Sequence, residues 1–194
     1  SHQVSSFDQA VRGVAGTGNY QRVPTLRGRI VKINGVPVAK RMIAQNSRWA
    51  VRGDRVLTYM AAEPETAEIV AGSWWSRSYE GPPAISLDAS LARGFSISVG
   101  DTLTFNILGR EITATIASLR EINWRSLRFD FAVIFAPGTL ESAPQTHIAA
   151  IEAPIAAEDA LEKAATDAFP NISAIRVRDA LAAAANLVAG IGAA

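Results

Sequence analysis

The sequence predicts an α+β fold with two lobes, in which a small β-rich lobe is inserted into a discontinuous α/β lobe. The chain has 194 residues, of which 48% are apolar, so it can bury one large core or two small ones. Apolar residues recur at helical spacing near both ends, whereas apolar and polar residues alternate in the middle. We place the α/β lobe at residues 1–64 and 141–194, and the inserted lobe at residues 65–140.

The N-terminal part predicts one helix followed by two strands. Serines at its start can cap a helix over residues 5–15, which carries apolar side chains at helical spacing. Residues 23–33 alternate as a half-buried strand does, and Asn34-Gly35 is a strong signal for a tight turn. Residues 54–60 predict a second strand, which can pair with the first.

The middle of the chain predicts short strands around one helix. Asp88 can cap a helix over residues 89–93, which Gly94 would end. Two alternating segments joined at Gly109-Arg110 predict a hairpin, which is the clearest structural signal in the chain. The predicted strands of this region are residues 84–88, 102–108, 111–119 and 129–135.

The C-terminal part predicts a β-α-β unit and a final helix. The strands are expected at residues 147–153 and 172–177, with a helix over residues 157–169 between them. Glu158 and Asp159 lie near the start of that helix, where its dipole favours negative charge.

The composition restricts the classes of function. The chain has 19 Lys and Arg against 18 Asp and Glu, so its balanced charge argues against a nucleic-acid partner. It has no cysteine, which excludes disulfides, thiolate zinc sites and cysteine nucleophiles but leaves the cellular compartment open. No uninterrupted apolar run reaches the roughly 18 residues of a spanning helix.

The last residues of the chain carry no charge after Asp179. An uncharged run rich in Ala, Leu, Val, Ile and Gly is typical of a fragment that ends just before a membrane helix. An ordinary C-terminal core helix is the alternative, because Leu181, Leu187 and Ile191 recur at roughly helical spacing.

Residues 84–105 contain a strand, a short helix, a glycine that can stop the helix, a Val-Gly-Asp-Thr turn at residues 99–102 and the first strand of a hairpin. In this order, these parts resemble the periplasmic core domain of FtsX-like and MacB-like ABC-transporter permeases. The resemblance extends from about residue 20 to about residue 188. More narrowly, Leu26–Gly35 and Asn123–Phe131 resemble a branch of many-spanning permeases associated with esterase or lysophospholipase export.

The resemblance implies a noncatalytic domain on the periplasmic side of the bacterial inner membrane, within an integral membrane protein. ATP would be bound by a separate cytoplasmic ABC subunit, reached through membrane helices that this chain lacks, so the chain itself would hold no cofactor. The domain would couple that ATPase to events outside the membrane, or engage lipid-like cargo or a periplasmic partner. We expect the isolated chain to be monomeric, because its natural neighbours are held by the absent helices.

Aromatic and basic residues are the candidates for contact with a partner or cargo. Side chains of adjacent strand residues point to opposite faces, so one of two neighbouring tryptophans is expected to be exposed unless both pack within or between the lobes. Arg120, Arg125 and Arg128 near Trp124 form a basic cluster that suits either anionic lipid or a solvated face. The candidate contact residues are Trp74, Trp75, Tyr79, Trp124, Arg125 and Arg128.

A stand-alone soluble hydrolase that uses Ser86 and His147 is one alternative, and a binding scaffold without a transport role is another. Serine hydrolysis needs a poised nucleophile and base, but the chain has no Gly-x-Ser-x-Gly motif, and His147 opens an apolar strand as a structural histidine would. No spacing of metal ligands and no Gly-Lys-Ser/Thr phosphate loop occurs. We therefore predict no catalytic, metal-binding or cofactor-binding residue.

Overall fold

A computed structural model describes residues 2–14, 16, 18–123 and 130–183 of the chain. The described residues contain both helices and many strands, which confirms the mixed α and β composition predicted from the sequence. The chain divides into two compact units, one of residues 1–21 with 151–194 and the other of residues 22–150.

The helices and strands follow one another as follows. In chain order they are α1 (His2–Arg12), β1 (Tyr20–Ile33), β2 (Val36–Pro37), 3-10 helices at Val38–Lys40 and Gln45–Val51, β3 (Arg55–Tyr59), β4 (Glu68–Gly72), β5 (Ala84–Asp88), α2 (Ala89–Phe95), β6 (Thr102–Ile107), β7 (Arg110–Glu121), β8 (Val133–Phe135), β9 (Thr146–Ile151) and α3 (Ile155–Ala168). Residues 177–183 are also helical.

Within the described residues, six strands form a sheet that closes on itself. Their order is β1-β3-β8-β5-β7-β6, and β6 pairs again with β1. The β3–β8 and β5–β7 pairs are parallel, and the other four pairs are antiparallel. β4 pairs with β7, while β2 and β9 pair with β1. Closure pairs the edges that these six strands would otherwise leave open.

The main core of residues 22–150 combines the strands of the closed sheet with α2. Phe105 of β6 and Phe135 of β8 are fully buried, and their rings meet edge to face with centroids 5.1 Å apart. Leu91 and Phe95 carry the apolar face of α2 into the same core. Each of these buried side chains contributes about 1.5–3 kcal/mol by leaving water.

Two tight turns were predicted from the sequence, and both exist. Asn34 and Gly35 have φ values of 49° and 73°, as a two-residue turn between β1 and β2 requires. The β6–β7 hairpin is confirmed, but its turn residues are Leu108 and Gly109, with φ values of 51° and 84°. Arg110 already belongs to β7, so the predicted turn at Gly109-Arg110 was displaced by one residue.

The helix after β5 begins as predicted and ends later than predicted. The Asp88 side chain caps α2 by accepting a hydrogen bond from the backbone N of Ser90 at 3.0 Å. The helix continues through Gly94 to Phe95, and Ser96, which has a left-handed φ of 55°, caps its carboxyl end. Gly94 is needed inside the helix because a Cβ there would lie 1.9 Å from Oγ of Ser47.

The unit of residues 1–21 and 151–194 contains α1 and α3, as predicted, but the predicted strand at residues 172–177 was wrong. These residues form no strand, and Ile175 is 79% exposed, so the apolar alternation there does not follow a sheet. Arg176 instead forms ion pairs with Asp159 and Glu162 of α3, each at 2.6 Å.

The predicted lobe boundaries differ from the boundaries of the compact units, which lie at 21/22 and 150/151. β1 and β3, which were assigned to the α/β lobe, pair with β6 and β8 of the predicted inserted lobe. The division into residues 1–64 with 141–194 and residues 65–140 stays a prediction.

No helix in the described ranges is both long and apolar enough to cross a bilayer. Residues 184–194, which include most of the uncharged C-terminal run, lie outside the described residues. The expectation that this run leads toward a membrane helix therefore stays a prediction.

Candidate functional site

Trp74, Trp75 and Tyr79 lie together in the irregular segment between β4 and β5. The two indole rings have centroids 4.2 Å apart, and the rings of Trp75 and Tyr79 lie 6.5 Å apart. Neither tryptophan is in a strand, so strand alternation does not determine which ring is exposed. Trp75 is buried at 8% exposure, whereas Trp74 is partly exposed.

Hydrogen bonds fix both indole rings to the two residues that follow β3. Nε1 of Trp75 donates to the carbonyl oxygen of Met60 at 2.8 Å. Nε1 of Trp74 donates to the carbonyl oxygen of Ala61 at 3.1 Å. Because both N–H groups have acceptors, the two rings can pack against each other without leaving a polar group unpaired.

Tyr79 folds back over its own loop. Its hydroxyl donates to the carbonyl oxygen of Pro82 at 2.6 Å. A Cβ at Gly81 would lie 2.5 Å from the Tyr79 hydroxyl oxygen, so a larger residue at this position would displace the Tyr79 ring. The three aromatic residues, with Pro82, Pro83 and Thr115, surround a cavity of about 360 Å³, which we call the aromatic pocket.

The aromatic pocket is lined by apolar and hydroxyl side chains, with no charged residue among the described residues around it. Its volume lies at the lower end of the range for small-molecule sites, about 300–1,000 Å³. Fixed aromatic rings with few polar groups can bind an apolar group or an aromatic anchor of another protein.

Trp124, Arg125 and Arg128 lie in residues 124–129, outside the residues that the structure describes. Their role in partner or cargo contact stays a prediction.

The structure places Ser86 and His147 in different surroundings. Ser86 lies in β5 and is 0% exposed, and its Oγ accepts hydrogen bonds from Oγ of Ser118 at 2.7 Å and Nε of Arg120 at 2.9 Å. Nδ1 of His147, in β9, lies 2.9 Å from Nη1 of Arg22. A hydroxyl held in this way inside the sheet is not presented to an ester, so the geometry does not favour Ser86 as a nucleophile.

Arg120 was assigned from the sequence to a basic cluster, but it is one of the most deeply buried residues, at 1% exposure. Its Nη1 pairs with Oδ1 of Asp130 at 3.1 Å, and its Nη2 donates to the carbonyl oxygen of Phe131 at 2.6 Å. Burial lowers the pKa of Arg120, and the charge and hydrogen bond of Asp130 oppose that shift. The sequence does contain a signal for this burial. Side chains alternate along β7, and Arg120 falls on the same buried face as Ile116 and Ser118.

Among the described residues, no group of three or more His, Asp or Glu side chains is placed to hold a metal ion.

Comparison with known proteins relates part of the chain to one membrane protein. No protein-family model matches the sequence. Over 123 residues, or 63% of the chain, the sequence is 33% identical to the uncharacterized ABC transporter permease YbbP of Escherichia coli strain K12. The chain is similar to an ABC permease. The match covers 14% of that permease, so the chain spans only a small part of the length of this relative.

Proposed function

We propose that this chain is a noncatalytic extracytoplasmic domain of an ABC-transporter permease. The 33% identity to YbbP carries the proposal. The FtsX-like and MacB-like resemblance of residues 84–105 supports the periplasmic assignment, because its parts occur in order as β5, α2, a turn with positive φ at Gly100 and β6. The narrower branch associated with esterase or lysophospholipase export is part of the same proposal.

In this proposal the chemistry of ATP hydrolysis belongs to a separate cytoplasmic subunit. A permease carries the resulting motion through its membrane helices, so the domain outside the membrane needs no nucleotide or metal of its own. The closed sheet suits a domain that transmits motion. Each of its six strands is hydrogen-bonded to a neighbour on both sides, so the sheet can move as a rigid body.

The aromatic pocket is the proposed contact point for a periplasmic partner or for hydrophobic cargo. Trp74 supports this role because it is partly exposed while its indole N–H is already bonded to Ala61. Its free ring face can therefore add apolar contact without the cost of burying an unpaired polar group.

A tagged full-length protein that contains this chain, purified from membranes together with its natural partners, tests the proposal. We expect an ABC ATPase to copurify and to hydrolyse ATP in the complex. Recovery of the full-length protein from the soluble fraction without an ATPase would contradict the transport role and favour a binding scaffold.

The same purification with Trp74→Ala tests the aromatic pocket. A periplasmic partner held by this pocket should be lost, while the ATPase, which binds on the other side of the membrane, should be retained. Trp49→Ala is the matched control, because Trp49 is also partly exposed, at 41%, and lies outside the pocket. Equal recovery of every partner with both variants would remove the aromatic pocket from the proposal.

A further inference from the structure

A second cavity, which the proposed function does not use, is rich in arginine. It lies between residues 38–52 and the carboxyl end of α2, and its volume is about 560 Å³. We call it the arginine groove, because four of its lining residues are arginines and none of the described residues that line it is Asp or Glu. The arginines are Arg41, Arg48, Arg52 and Arg93.

The wall of the arginine groove is held firmly against α2. The backbone N of Ala44 donates to the carbonyl oxygen of Gly94 at 3.0 Å. Ser47 is buried against Gly94, where no side chain larger than hydrogen would fit. A groove fixed in this way loses little conformational entropy when a ligand enters.

Two of the four arginines already have partners in the fold. Nη2 of Arg41 donates to the carbonyl oxygen of Phe95 at 2.9 Å, where α2 ends. Nη1 of Arg93 pairs with Oε1 of Glu121 at 3.1 Å. The Arg41 contact offsets the partial negative charge at the carboxyl end of α2, and the Glu121 carboxylate offsets the positive charge of Arg93.

The other two arginines keep most of their hydrogen-bonding capacity. Nε of Arg48 donates to the carbonyl oxygen of Ile43 at 3.3 Å, and within the described part of the chain no carboxylate pairs with Arg48. Among the described residues the guanidinium group of Arg52 has neither a hydrogen bond nor an ion pair. Both arginines are exposed and line the same groove, and guanidinium groups donate hydrogen bonds in a geometry that suits an anion with several acceptor oxygens.

Apolar side chains lie next to these charges. Val38, Ile43 and Val51 line the same groove, as does Met42, which is 94% exposed. Val38, Ile43 and Val51 are partly buried against the main core, so Met42 is the large exposed apolar side chain among the described residues that line the groove. A groove with both arginine and apolar side chains fits a ligand that has both an anionic group and an apolar group.

We propose that the arginine groove binds an amphiphile with a phosphate headgroup. Arg48 and Arg52 hold the phosphate oxygens, while Met42 and its apolar neighbours contact the first methylene groups of the attached chain. The proposal rests on the groove alone and not on membership in a permease, so it can fail or succeed independently of the proposed function.

Calorimetric titration of the isolated chain with octyl phosphate, below its micelle concentration, tests the site. We expect Arg48→Gln/Arg52→Gln to weaken binding at least about tenfold, because each charge-assisted hydrogen bond is worth about 1.5–3 kcal/mol and tenfold corresponds to about 1.4 kcal/mol. Arg77→Gln/Arg110→Gln is the control, since it removes the same charge from exposed positions outside the groove. Equal weakening by both double variants, or unchanged binding in the groove variant, would overturn the proposal.

Inorganic phosphate and octyl glucoside distinguish the two parts of the ligand. We expect octyl phosphate to bind at least about tenfold more tightly than inorganic phosphate, because two buried methylene groups suffice for that factor at about 0.8 kcal/mol each. Octyl glucoside, which has the chain without the anion, should bind more weakly than octyl phosphate. Equal affinity for inorganic phosphate and octyl phosphate would overturn the amphiphile and indicate a site for free phosphate.

Discussion

Arg120 keeps its charge inside the protein because its guanidinium group donates hydrogen bonds to a carboxylate, a hydroxyl and carbonyl oxygens. Asp130 neutralises the charge, while the hydroxyl of Ser86 and the carbonyl oxygen of Phe131 accept further N–H bonds. The arginine thereby ties β5 and β7 to the segment that leads into β8. A buried pair of this kind is costly to break, because the remaining partner keeps its desolvation cost.

We expect Arg120→Met to lower the free energy of unfolding by about 3–5 kcal/mol, since it leaves Asp130 without its counterion and removes one of the two donors to Oγ of Ser86. Urea denaturation of the isolated chain measures the change. Arg93→Met is the matched control, because the Arg93–Glu121 ion pair lies at the surface and should be worth no more than about 1 kcal/mol. Similar losses in the two variants would contradict the assigned role of Arg120.

At the scale of elements, α2 and the 3-10 helix Gln45–Val51 approach each other more closely than side chains normally allow. The contact passes through Gly94 and Ser47, where a Cβ added to Gly94 would lie 2.4 Å from the Cβ of Ser47. The position of the 3-10 helix, and with it the wall of the arginine groove, depends on this glycine.

Glycine to alanine in an exposed helix normally stabilises the helix by about 1 kcal/mol. For Gly94→Ala we expect the opposite, a loss of about 1–3 kcal/mol through overpacking, measured by urea denaturation. Ser47→Gly removes the clashing atoms, so the double variant Ser47→Gly/Gly94→Ala should be more stable than the sum of the two single changes predicts. If the losses in unfolding free energy of the two single variants simply add in the double variant, the expected steric clash between residues 47 and 94 does not occur.

Elements with strong local signals could be predicted from the sequence. The Asn34-Gly35 turn, the β6–β7 hairpin and the Asp88 cap each depend on residues that are neighbours in the chain. The hairpin turn was predicted one residue too late because its first residue is Leu108. Leucine rarely adopts the positive φ found there, so the sequence did not indicate a turn at this position. The predicted strand at residues 172–177 was wrong because alternation alone does not supply a neighbouring strand.

At the scale of the whole molecule, strand order could not be predicted from local patterns. The parallel β3–β8 and β5–β7 pairs join segments far apart in sequence, and they close the sheet. The same limit applies to the sites. The sequence identified Trp74, Trp75 and Tyr79 as candidates, but their stacking follows from an irregular loop. The arginine groove was missed because Arg93 joins the other arginines only through the packing of α2.

The proposed function places this chain on the outer side of the cytoplasmic membrane, as part of a permease. Because the chain contains no cysteine, Ser78→Cys in the full-length protein adds one thiol at an exposed position of this domain. We expect a membrane-impermeant maleimide to label it in cells whose outer envelope is permeabilised and whose inner membrane is intact, above the background of the parent protein. Labelling that appears only after the inner membrane is broken would contradict the claim.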